Sequence, residues 1–196
     1  MAFINQEAKE IHCKLVYYGP SLGGKTTNVQ WIYTRTTGQG QTAMQVFNAN
    51  PERTLFFDFW PMDVGEIRGL RTRLHLYTVP GQVVYDASRK LIMKGLDGVV
   101  FVADSQIERM EENLEAMRNL EKNLEQQGYD IRRIPLVIQY NKRDLKNVTP
   151  LAEMRAALNR YNAPDFEAVA SDGRGVMETL KTISKTIVTT LKGGEL

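Results

Sequence analysis

Residues 11–26 read IHCKLVYYGPSLGGKT, and the fold is decided there. The first nine of them are largely apolar with few breaks, which predicts a β-strand over residues 11–19. GPSLGGKT, residues 19–26, follows without a gap and satisfies G-x-x-x-x-G-K-[ST], and a helical pattern runs on from near Gly24 towards Thr37. Strand, glycine turn and helix start in that order make a phosphate-binding loop. Phosphate oxygens need several donors in a small concave space; backbone amides of a glycine-rich turn supply them, with the positive end of the helix dipole behind. Gly23 and Gly24 carry no side chain that would block approach, and Gly19, Ser21, Leu22 and Thr27 complete the nucleotide-binding stretch. Lys25 would reach the β and γ phosphates, and the Thr26 hydroxyl would take one position on Mg²⁺.

Outward from this loop, apolar runs alternate with helical periods to the end of the chain, the pattern of a βαβ protein with a largely parallel sheet. Strands are expected at residues 55–60, 74–79, 98–104, 134–140 and 166–169, and a further one before residue 11 is left open. The short segment with Pro61 and Gly65 should let the first two of these pair antiparallel. Ile107, Met110, Leu114, Met117, Leu120 and Leu124 recur at steps of three and four, predicting a helix over residues 107–127 that Gly128 ends. Thr149 and Pro150 read as a cap and first turn of a helix reaching about Tyr161. Val176, Leu180, Ile183, Ile187 and Leu191 form the core stripe of a last helix. Residues 37–52 are polar and aperiodic, which marks a candidate functional loop or a surface insertion. The expected architecture is a single three-layer α/β domain over residues 1–196: a mostly parallel sheet with one antiparallel pair, and helices on both faces.

Composition narrows the classes. The 196 residues carry 25 basic and 23 acidic side chains, a formal charge of +2, and are 42% hydrophobic. Such a chain can bury a core without disulfides or structural metal, and its near neutrality excludes a nucleic-acid binder driven by charge. One cysteine, Cys13, excludes an intrachain disulfide and a cysteine-based zinc site, which fits a reducing cytoplasm. The opening MAFINQEAKEIH lacks a secretory pattern, and no apolar run approaches the roughly 18 residues of a membrane span. Ala2 and the ending KGGEL encode neither myristoylation nor prenylation. A cytoplasmic chain with no membrane anchor of its own is expected.

The second chemical signal is NKRD, residues 141–144, directly after an apolar strand and so at a carboxyl end, where open α/β sheets bind ligands. Asp144 can accept hydrogen bonds from the ring NH and exocyclic amine of guanine, whereas adenine would leave it desolvated and unpaired. Lys142 would lay its methylene stem along the purine, and Asn141 would tie this loop to the phosphate loop. Alone, NKRD could be a charged turn. Placed after a phosphate loop, it reads as a guanine site.

With these residues in place the chain resembles the Ras-like small GTPases, and among them the bacterial polarity and gliding-motility family of MglA type. The resemblance spans nearly the whole length and rests on the phosphate loop, RTLFFDF (53–59), LYTVPGQVVYDASRK (76–90), VVFVADSQ (99–106) and IQYNKRD (138–144). It implies a GTP-hydrolysing switch that is slow unaided and is activated by a Roadblock-domain, MglB-like protein. It also implies polarity effectors, a monomer when alone, and concentration at a cell pole through partners. By the same resemblance Thr54 joins Thr26 as a magnesium ligand, Gly81 bonds the γ phosphate, Gln82 orients the attacking water, and Arg53 acts as an arginine finger in cis. Arg53 could instead be a solvated loop residue or pair Asp58. The Ala170 amide would meet the guanine carbonyl.

The chain departs from the wider superfamily in one respect. Where DxxGQ is usual it reads TVPGQ, so Thr78 replaces an aspartate that would hold a magnesium-bound water; Asp58 is a candidate substitute. His12 and His75 have no companions at metal spacing and read as packing or surface residues, and Cys13 reads as a small buried hydrophobe. Two rivals stand beside the GTPase switch: a GTP-binding scaffold that does not hydrolyse, which Thr78 favours, and a P-loop kinase using ATP, which NKRD and Gln82 disfavour.

Overall fold

Residues 2–36, 45–50, 53–58, 62–80 and 86–193 are described by a computed structural model. In chain order the strands are β1 (Phe3–Asn5), β2 (Glu10–Tyr18), β3 (Gln45–Asn50), β4 (Arg53–Asp58), β5 (Met62–Ile67), β6 (Leu70–Thr78), β7 (Gly98–Asp104), β8 (Leu136–Asn141) and β9 (Asp165–Glu167). The helices are α1 (Lys25–Thr36), α2 (Asp86–Met93), α3 (Met110–Gln126), α4 (Leu151–Leu158) and α5 (Val176–Gly193), with a 3-10 turn at Ile107–Arg109. Seven strands form one sheet in the order β5-β6-β2-β7-β8-β9, with β1 added antiparallel to β2.

β2, β6, β7, β8 and β9 run parallel, as alternating helical crossovers require, and their carboxyl ends meet along one edge. β7 and β8 are buried at every position, which is why both read as unbroken apolar runs. One face of the sheet packs Leu15, Tyr17, Leu76 and Val102 against Ile32 of α1 and Leu180, Ile183 and Ile187 of α5. The other packs Val16, Phe101, Ile138 and Tyr140 against Met93, Leu120, Leu124 and Met154 of α2, α3 and α4. Gly128 ends α3 as expected: its φ is 79°, its amide bonds the Glu125 carbonyl at 2.9 Å, and the Tyr129 amide bonds that of Leu124 at 3.0 Å.

Several expectations need correction. The antiparallel partner of β6 is β5, inside the segment read as a connection, and not the expected strand 55–60, of which residues 55–58 belong to β4. An edge strand needs only one buried face, so the polar residues of MDVGEI are tolerated, and a register shift between Asp63 and Glu66 accommodates Gly65. The tight hairpin rests on left-handed Arg68 and Gly69 (φ 53° and 78°). Part of the polar loop 37–52 is strand: β3 pairs antiparallel with β4 in a separate two-stranded sheet. α4 begins after Pro150, which occupies the cap position without a side-chain cap bond. Thr149 serves elsewhere, its amide bonding the Ser105 carbonyl at 2.8 Å. α4 ends at Leu158 and not near Tyr161, because the Asn159 side chain closes a turn on Ala163 (Nδ2 to O, 2.8 Å). His12 and His75 have a companion in each other, Nδ1 to Nε2 at 2.8 Å; no group of three metal-ligating side chains occurs among the described residues.

Candidate nucleotide site

The parallel register brings Gly19, Thr78, Asp104 and Asn141 to the same carboxyl edge of the sheet. At the end of β2 the chain turns sharply with Gly19 at φ 141°, and a Cβ there would collide with the Val102 carbonyl of β7. Gly24 has φ 98°, and a Cβ on it would strike Asn141 Nδ2. Leu22, also left-handed at φ 60°, is 82% exposed and directs its side chain outward. Glycine is thus required at 19 and 24 both by backbone conformation and by close approach to the neighbouring strands.

Lys25 is buried, and its Nζ donates to the Gly19 carbonyl at 3.0 Å and the Pro20 carbonyl at 2.6 Å. Burial, and secondarily the charge of Arg89 on α2, lowers its pKa to about 7 from 10.5. A polyphosphate beside Nζ would favour the ammonium and reverse that shift. Nucleotide binding near pH 8.5 is therefore expected to take up about one proton. Titration calorimetry in buffers of different ionisation enthalpy measures it; no uptake would mean that Lys25 is already an ammonium in the free chain, and would contradict the lowered pKa. The sign for the free chain follows from the same numbers. Between about 7 and 10.5 the unfolded state binds more protons than the folded one, so this residue's contribution raises stability as pH increases through that window.

The base loop is joined to the phosphate loop by one side chain. Asn141 Nδ2 donates to the Gly23 carbonyl at 2.9 Å, while its Oδ1 accepts from the Ala170 amide at 2.9 Å. Asn141 therefore bridges three loops, as its expected tying role requires. The Ala170 amide, expected to meet a guanine carbonyl, instead bonds Asn141, so a base could engage it only by sharing that donor. Lys142 has φ 66° and its Nζ donates to Asp104 Oδ2 at 2.6 Å. Asp144 is exposed, with its carboxylate making no hydrogen bond or ion pair among the described residues. Ser21 contributes its carbonyl to Arg109 Nη2 at 2.9 Å, and Thr26 and Thr27 lie in the first turn of α1.

The switch residues are placed less fully. Arg53 and Thr54 open β4, opposite Asn50 and Asn48 of β3. Gly81 and Gln82 lie outside the described residues. Asp58 sits at the other end of β4, opposite Gln45, about 13 Å of strand from Thr54. Thr78 ends β6 beside β2, buried, with Oγ1 lacking a hydrogen-bond partner among the described residues. An orphaned buried hydroxyl at this edge, with the Thr26 hydroxyl nearby in sequence to Lys25, suits a hydrated hard cation. The sequence does not single out Asp104, which meets Lys142, nor Arg109 and Asn113, which meet Asp104, nor Arg89; the run VVFVADSQ holds the one signal, an acid ending a buried strand.

The profile of the ADP-ribosylation factor family matches residues 2–187. The chain is 60% identical over 194 residues to the mutual gliding-motility protein MglA of Myxococcus xanthus, covering 99% of this chain and 100% of that protein. It is 30% identical over 151 residues to the human ADP-ribosylation factor-like protein 4A, covering 74% of this chain and 64% of that one. No helix among the described residues is long and apolar enough to cross a membrane.

Proposed function

The chain belongs to the ADP-ribosylation factor family of small GTPases, and from that membership we propose a division of labour among its residues and a cellular role. It binds GTP and hydrolyses it to GDP and phosphate, and the two nucleotide states make it a switch. In the proposed site the amides of residues 19–26 cradle the phosphates, Lys25 supplies the buried cation, and Asp144 selects guanine with Lys142 beneath the purine. Thr26 and Thr54 would hold Mg²⁺, whose contribution when bound is to neutralise charge on the β and γ phosphates. Gln82 orients the water, Arg53 stabilises charge on the leaving phosphates, and the Gly81 amide senses the γ phosphate. The observation that supports this most is the Asn141 bridge between the Gly23 carbonyl and the Ala170 amide, since it makes phosphate loop and base loop one rigid pocket.

The cellular role is control of polarity and gliding motility, with a Roadblock-domain, MglB-like activator and polar localisation through partners. The name of the Myxococcus xanthus relative, a mutual gliding-motility protein, supports the motility part. Buried Thr78, in place of a carboxylate, favours a second reading, a scaffold that binds GTP without hydrolysing it. Single-turnover GTP cleavage with and without a Roadblock-domain activator separates them: a switch is slow alone and accelerated by the activator, whereas a scaffold leaves GTP uncleaved in both.

A further inference from the structure

Asp104, at the end of β7, has 0% side-chain exposure and yet carries a carboxylate. A buried charge must be paired, and this one is held between two cations from different loops. Lys142 Nζ lies 2.6 Å from Oδ2, and Arg109 Nε lies 4.0 Å from the same atom. The other oxygen, Oδ1, accepts the Gln106 amide at 3.1 Å. The backbone of Asp104 is equally fixed. Its amide donates to Asn113 Oδ1 at 2.9 Å and its carbonyl accepts from Asn113 Nδ2 at 2.7 Å, and Asn113 is itself fully buried on α3.

The two cations reach opposite sides of the nucleotide site. Lys142 belongs to the base loop and adopts a left-handed backbone, φ 66°, uncommon for a side-chain-bearing residue. With its ammonium pinned at β7, its methylene stem spans the ends of β8 and β7. Arg109 donates from Nη2 to the Ser21 carbonyl of the phosphate loop at 2.9 Å and from Nη1 to Glu112 Oε1 at 2.7 Å. Asp104 therefore lies beneath both loops, on a route separate from the Asn141 bridge.

We infer that Asp104 is a positioning residue for guanine-nucleotide retention: it fixes the Lys142 stem as the floor under the purine and, through Arg109, holds the phosphate loop in register with the base loop. This rests on the guanine-site reading above. The pair touches no group assigned to the cleavage step, so its loss should act on nucleotide release while single-turnover cleavage of bound GTP is preserved.

The test is the dissociation rate of a fluorescent GDP from the full-length chain with Mg²⁺. Asp104→Asn should speed release about tenfold or more, the loss of one charge-assisted bond, with single-turnover cleavage at saturating GTP unchanged. On a Lys142→Met background the same substitution should add much less, because the lysine it acts through is gone. Release at the wild-type rate, or an undiminished effect on that background, overturns the assignment. Arg109→Gln, at a side chain 25% exposed, stands in if Asp104→Asn does not fold: it should also speed release, and a wild-type rate would overturn the link to the phosphate loop. A wild-type chain that retains no GDP overturns the guanine-site reading itself and this inference with it.

Discussion

Replacing Gln82 by leucine should reduce single-turnover GTP cleavage to near the uncatalysed background while GTP binds almost as tightly as before. Leucine fills a similar volume but offers neither donor nor acceptor to a water molecule, so the loss falls on the transition state and leaves ground-state binding intact. Arg53→Ala should act in the same direction, by about 10³ to 10⁵ in rate if the guanidinium serves as a finger in cis. Rapid-quench measurement of phosphate release from a preformed GTP complex reads both variants. Wild-type cleavage in Gln82→Leu would mean another group orients the water. Wild-type cleavage in Arg53→Ala would return that residue to an ordinary place at the start of β4.

The second large effect concerns the base. Asp144 is exposed and unpaired by protein among the described residues, so its carboxylate is available to two donors of guanine. Asp144→Asn replaces one acceptor oxygen by a donor amide. Xanthine presents a carbonyl where guanine has its exocyclic amine, so the variant should weaken for GDP and gain for xanthosine diphosphate, an inversion of about 10⁴ in relative affinity. Competition between the two nucleotides for one fluorescent ligand measures the ratio directly. An unchanged preference for GDP would show that the base is read by some other group.

How much of this is legible in the sequence depends on how local each feature is. The phosphate loop is a run of eight residues whose glycines answer to one turn, and the structure shows why at Gly19 and Gly24. β7 and β8 were legible because strands buried on both faces have no polar positions to obscure them, and Gly128 because a left-handed helix end selects glycine. Less was visible where meaning comes from distant partners. β5 looked like a connection because an edge strand tolerates MDVGEI, and its Arg68-Gly69 turn lacks the usual Asn or Asp. The contact of Asp104 with Lys142, 38 residues away, and that of His12 with His75, 63 residues away, exist only once the register of the parallel strands is set. Thr149 is not the cap because α4 starts one residue later, with Pro150 at the cap position, while the loops after β7 and β8 zip together through the Gln106 and Val148 bridge and the Thr149 amide.

The site also explains the placement of its charges. Lys25, buried and lowered to about 7, has loop carbonyls for partners and Arg89 as a repelling neighbour. An anionic polyphosphate would relieve both the desolvation and the repulsion, so the free loop is electrostatically prepared for that ligand. Lys142, by contrast, is already neutralised by Asp104, which leaves its methylenes and not its charge to face a base.

The most direct test of the whole account is equilibrium binding of GTP, GDP and ATP to the purified chain in the presence of Mg²⁺. Both guanine nucleotides should bind, with ATP weaker by about 10⁴, because adenine leaves the Asp144 carboxylate without donors. Equal or tighter binding of ATP, or no binding of either guanine nucleotide, would contradict it.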